Sequence, residues 1–150
     1  MRDNDNSPWE LLSRTPDVEL RVGVLETGCL GFFDPETRTI WLDRRQSRRQ
    51  MRSTLMHELM HVERGDEDSP YLSPVLATRQ EIAASVRAAR NLIPIWQLAR
   101  LVMWAEDERE MAEELNVDEE TLRIRLLTLS DEEHRVLDAA TLLAEHRGIA

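Results

Sequence analysis

Val18, Leu20, Val22 and Val24 alternate with Glu19, Arg21 and Gly23, the period-two pattern of a strand with one buried face. Two further apolar runs, Leu30-Gly31-Phe32-Phe33 and Thr39-Ile40-Trp41-Leu42, flank Asp34-Pro35-Glu36-Thr37. Proline in so short a polar insert suits a tight turn, so the two runs predict a β-hairpin beside the first strand. Elsewhere, Ser/Thr-x-x-Glu/Gln sequences have the form of capping boxes, in which two side chains satisfy backbone amides at a helix start. Ser7-Pro8-Trp9-Glu10 predicts a short first helix, with Pro8 at the favoured first position. Ser47-Arg48-Arg49-Gln50, Thr78-Arg79-Gln80-Glu81 and Ser130-Asp131-Glu132-Glu133 predict three more starts. Gly65 is placed to end the second helix and Gly148 the last. Met51, Met56, Met60 and the stripe Ile95, Leu98, Leu101 and Val102 read as core. The order is a short helix, a small antiparallel sheet of about three strands, then helices to the end: an α+β fold.

The length of 150 residues suits one compact domain, 1–150, with a sizeable core. The longest strongly apolar stretch, Leu92 to Trp104, is too short to span a membrane and carries Arg100. The first six residues lack the apolar centre of a signal peptide, which predicts a cytosolic protein. Cys29 is the single cysteine, so no internal disulfide forms and a buried, inert thiol is expected. The net charge of −10 disfavours phosphate backbones and favours a basic partner. Met111 to Leu129 has the look of a small helix-turn-helix. However, Glu106 to Glu133 holds twelve acidic residues and three arginines, a net −9, so the segment reads as an acidic helical extension from about residue 106 that avoids DNA. Arg44, Arg45, Arg48, Arg49 and Arg52 form a basic cluster, read as a solvated face balanced by the acidic remainder.

The chemistry is concentrated in His57-Glu58-Leu59-Met60-His61. Residues four apart share a helix face, so His57 and His61 direct two imidazoles at one point and supply half of a tetrahedral zinc shell. Glu58 projects beside the metal, where it can take a proton from an activated water. This is why H-E-x-x-H on a helix points to a metalloprotease. The site needs a third protein ligand. Glu81, twenty residues after His61 and across a loop that can reverse the chain, is the candidate. Completing the capping box with Thr78 is an equally weighted alternative on pattern alone. Glu63 points away from the histidine face, and Asp66, Glu67 and Asp68 sit too near the helix end to fold back easily.

Ser53-Thr54-Leu55-Met56-His57-Glu58-Leu59-Met60-His61, with Gln80-Glu81-Ile82-Ala83-Ala84-Ser85 running on to Ala88-Ala89-Arg90-Asn91-Leu92-Ile93-Pro94, resembles the ImmA/IrrE family of metallopeptidases. The resemblance spans roughly residues 18 to 130. It implies a zincin-like helical core, zinc held by His57, His61 and Glu81, and Glu58 as catalytic base. It also implies a helix-turn-helix transcriptional repressor as the substrate. At residue 85 the family commonly carries Asp or Asn, whereas this chain has Ser85, expected to orient a zinc-ligating histidine through its hydroxyl. Arg87 stands where an apolar residue is usual.

Tyr71, on the loop between the two ligand helices, is a candidate to stabilise the oxyanion in catalysis. His134 and His146 are expected to be solvent-exposed on the last helix. The rival reading is a regulatory protein that keeps the metal site but acts by sequestering its partner without cutting it. Glu58 favours the enzyme, because a purely structural site has no use for a base.

Overall fold

The computed structural model describes residues 7–66, 69 and 71–148. Its three strands, β1 (Glu19–Gly23), β2 (Gly31–Asp34) and β3 (Thr39–Asp43), lie in the order β1-β3-β2. The most continuously apolar strand, β3, takes the centre and buries Ile40 and Leu42 completely. β2 and β3 form the expected hairpin, with Phe33 opposite Ile40.

The sheet is mixed rather than antiparallel, because β1 pairs with β3 in parallel, Leu20 opposite Ile40. The segment 24–30 carries the chain across β3 to its far side, so the hairpin that follows brings β3 back alongside β1 in the same direction. Asp43 ties this crossover down: its carboxylate accepts from the backbone N–H of Leu25 at 3.0 Å and from the backbone N–H and side chain of Arg45. The Arg45 guanidinium and these backbone donors hold the Asp43 carboxyl well below the usual carboxylate range. As an edge strand, β1 leaves Val22 half exposed. Alternation identified the strand but not its neighbour.

Helix α1 (Pro8–Ser13) starts where expected, although Ser7 makes no side-chain cap bond. Helix α2 (Arg48–Arg64) opens on the full capping box of Ser47 and Gln50 and closes on Gly65, whose φ of 64° is the left-handed conformation glycine tolerates best. Leu55, Met56, Leu59 and Met60 are buried. A β-carbon on Gly31 would lie 2.7 Å from Thr54 Cγ2 and 2.8 Å from the Trp41 carbonyl. Glycine there lets β2 close against α2, the helix that carries the histidines.

Helix α3 (Pro74–Leu92) begins five residues before the expected start. Ser73 caps it, accepting from the Leu76 N–H at 3.3 Å, and Pro74 occupies its first turn. Thr78 is inside the helix and donates back to the Pro74 carbonyl at 2.9 Å. The Thr78–Glu81 capping box therefore does not form, and Glu81 has no capping role. The sequence offered two overlapping starts, and the Ser-Pro pair took precedence.

Helices α4 (Ile95–Leu101), α5 (Glu108–Glu114), α6 (Glu119–Leu127) and α7 (Asp131–His146) follow, the last on the expected Ser130–Glu133 box. Met111, Ala112, Leu115, Val117 and Leu122 join the same buried cluster as Ile40, Leu55 and Leu92. The acidic segment thus packs into the common core, with α6 lying on α3.

Candidate metal centre

Two elements aim at one point. His57 and His61 stand one turn apart on α2, and Glu81 reaches them from α3, the pair of helices in most extensive mutual contact. His57 Nε2 and His61 Nε2 are 3.0 Å apart. Glu81 places Oε2 3.2 Å from the first and Oε1 3.2 Å from the second. A tetrahedral zinc with ligands at ~2.0–2.1 Å separates its donor atoms by about 3.3 Å. The two nitrogens are near that edge length as they stand, Glu81 meets each with a different oxygen, and one ligand atom from each of the three lies within 4.8 Å of the others.

The far nitrogens of the two rings determine what the near ones offer. His61 Nδ1 lies 2.9 Å from Asp66 Oδ2. An ionised carboxylate only accepts, so Nδ1–H donates and Nε2 of the neutral ring carries a lone pair. His57 Nδ1 lies 3.2 Å from Ser85 Oγ, a hydroxyl that can accept from Nδ1–H in the same sense. Burial, and secondarily the neighbouring His61, lowers the pKa of the His57 imidazole and favours its neutral form. With both rings in that tautomer, the two Nε2 lone pairs and the Glu81 carboxylate face one point, an arrangement that a cation relieves.

Glu58 sits beside this set without joining it. It is 6% exposed, and the backbone of Phe33 on β2 hydrogen-bonds its carboxyl. Burial, with the Glu81 charge second, pushes its pKa up to about 8. A cation at the neighbouring ligands acts in the opposite direction, favouring the ionised form.

His57, Glu58 and Glu81 line a cleft of about 610 Å³ between β2, α2, α3 and the first turns of α6. Phe32 and Phe33 face it from the strand, Ala88 from α3, and Thr121 and Ile124 from α6. Asp66, Asp118 and Glu120 also reach it, and no arginine is among its described lining residues.

The other candidates separate clearly. Ser85 was expected behind one of the two histidines, and the structure puts its hydroxyl 3.2 Å from Nδ1 of His57. Tyr71 is 95% exposed and lies outside the cleft lining, so in this conformation its hydroxyl is not directed at a substrate carbonyl. Among the described residues, the loop holds it by its backbone N–H, which donates to Ser69 Oγ at 3.2 Å. Glu63 pairs with Arg87 at 3.3 Å, away from the histidines, which also accounts for a charge at residue 87. Glu67 and Asp68 lie outside the described residues. Cys29 is half-buried rather than buried, on the cleft wall, and its thiol donates to the Gly31 carbonyl at 3.7 Å. The crossover segment it belongs to, residues 24–30, is nowhere buried.

His134 and His146 are exposed on α7, each with Nδ1 near a carbonyl of the preceding turn. The arginine cluster is only partly a solvated face. Arg45 binds Asp43, and Arg52 donates to the carbonyls of Leu115 and Asn116 at the end of α5, while Arg44 and Arg48 are exposed.

Sequence reasoning missed two groups. Asp66 folds back onto His61 after all, because the left-handed turn at Gly65 reverses the chain within one residue. Arg125 is 2% exposed and lies under α7. The H-E-x-x-H-x-x-x-Gly-Asp spacing could have signalled the first; an arginine inside an apolar helical stripe could have signalled the second.

Residues 25–127 match the IrrE N-terminal-like domain, a peptidase family. The match includes every residue of the metal cluster and of the cleft. No curated protein matches the chain.

Proposed function

The chain belongs to the IrrE N-terminal-like family of metallopeptidases, and from that premise we propose that it is a zinc-dependent endopeptidase with His57, His61 and Glu81 as ligands. The observation that carries the reading is the convergence of ligand atoms from His57, His61 and Glu81 beside a buried carboxylate that is not one of them. Zinc held by this set would supply Lewis acidity, acidifying water and polarising a peptide carbonyl. Glu58 takes the proton from the attacking water and returns it to the departing amine. Ser85, behind His57, keeps that imidazole turned toward the ligand point. The strand β2 and the phenylalanines on it wall the cleft beside Glu58 and limit its access to water.

The substrate class follows from charge together with the family. The cleft is acidic and apolar without a described arginine, and the chain as a whole carries −10. A basic segment of a protein is the complement. The family resemblance makes a helix-turn-helix transcriptional repressor the leading choice, and DNA-binding proteins of that kind carry such segments.

Elemental analysis tests the site. Purified wild type should hold one zinc, and His57→Ala and Glu81→Ala should each lose it. Full occupancy in Glu81→Ala would assign the third ligand elsewhere.

The protein itself should not bind DNA. The second helix of the α5–α6 pair is packed onto α3 with Leu122 and Arg125 buried, and the pair sits in a segment of net −9. A mobility-shift experiment at moderate salt should show no complex. Tight, salt-sensitive binding would overturn this and direct attention to Arg44 and Arg48.

A further inference from the structure

We propose that Asp66 is a positioning residue for the metal site, a carboxylate that fixes His61 as a ligand from the loop beyond its own helix. This deepens the zinc reading above and rests on it.

Three contacts converge on one residue. The Asp66 backbone N–H donates to the His61 carbonyl at 3.2 Å. Its Oδ2 faces His61 Nδ1 at 2.9 Å. Arg64 Nε donates to the same oxygen at 3.0 Å, holding the carboxylate from the other side. The side chain of Asp66 is only 10% exposed, so it is held inside the fold and not free in solvent. Gly65 makes the geometry available: with φ at 64° it ends α2 and turns the next residue back under the last helical turn.

The two histidines are therefore supported unequally. His57 has a hydroxyl behind it, Ser85, at 3.2 Å. His61 has a carboxylate, which fixes the tautomer and raises the basicity of the ring more strongly than a hydroxyl does. In this chain the carboxylate behind the second histidine comes from the residue after the Gly65 cap of α2. Glu63 shows that this is a matter of placement. Three residues earlier and also a carboxylate, it pairs with Arg87 instead.

The test measures zinc affinity by chelator competition and the tautomer of His61 by nitrogen-15 NMR on metal-free protein. Wild type should carry the His61 proton on Nδ1. Asp66→Ala should lose that preference and bind zinc ~10–100-fold more weakly. Asp66→Asn, whose amide oxygen still accepts from Nδ1–H, should keep the tautomer and fall between the two. Glu63→Ala, with the same charge change, should bind zinc like wild type. A residue that only supported the fold would lower Tm in Asp66→Ala and leave affinity and tautomer alone, and that result overturns the proposal. So does equal weakening in Glu63→Ala, or a wild-type proton on Nε2. If metal-free wild type shows the Nδ1 tautomer but takes up no zinc, the zinc reading fails instead, and Asp66 loses its metal role with it.

Discussion

Glu58→Gln should leave the protein folded and zinc-loaded and abolish cleavage of its target. The substitution keeps the shape of the side chain and removes the proton acceptor. Glu58 is absent from the converging ligand set, so metal content should not change. Losing a general base costs ~10²–10⁴-fold in rate, enough to make a regulatory cleavage undetectable in cells. The same variant separates cutting from sequestration. Transcription controlled by the repressor and repressor length on a gel would be followed together. Relief of repression with a shortened repressor in wild type, and neither in Glu58→Gln, is the peptidase outcome. Relief by both proteins with the repressor intact would mean that binding alone suffices, and the enzymatic reading would fall. Burial and a nearby cation act on Glu58 in opposite directions: the first pushes its carboxyl up to about 8, and the second favours the ionised form that accepts a proton.

How far the sequence reached is clearest from single residues. His57, Glu58 and His61 were legible because helical spacing alone puts the two imidazoles on one face. Glu81 was ambiguous, since Thr78 offered it a second occupation as a capping partner. The structure removes that alternative by starting α3 at Pro74. The α+β order was legible from periodicity, and the hairpin from its turn. The parallel pairing of β1 was not, because alternation shows that a strand has two faces and is silent on which neighbour it takes. Asp66 was set aside on sequence distance, yet one left-handed glycine reverses the chain so tightly that proximity in sequence becomes contact. The acidic extension was legible as charge. Its packing was not, because the residues that anchor it, Ile93, Arg125 and Glu133, come from three separate stretches of chain.

That anchor gives the largest expected effect on stability. Glu133→Ala should destabilise the protein by about 3–5 kcal/mol, the usual consequence of leaving a buried charge without its partner. Arg125 is 2% exposed. Its Nε donates to the Ile93 carbonyl at 2.8 Å, and its two terminal nitrogens reach the Glu133 carboxylate at 2.6 and 3.1 Å. Glu133 also accepts from the Ser130 N–H at 2.9 Å and from Arg90 at 3.3 Å, so one carboxylate starts α7, neutralises α6 and joins both to α3. Hydrogen bonding to Arg125 holds the pKa of Glu133 down at about 2, against about 4.3 in an unfolded chain. A depressed folded-state pKa stabilises the fold above the unfolded value, and that contribution fades as pH falls from about 4.3 through 2. Urea unfolding followed by circular dichroism should therefore show wild-type stability falling steeply in that window. Glu133→Gln, which has no proton to gain, should flatten the acid limb while lowering stability at neutral pH. Glu120→Gln, in the exposed pair with Arg123, should change little at either pH. An acid limb unchanged in Glu133→Gln would show that other carboxylates, Asp43 foremost, carry the pH dependence.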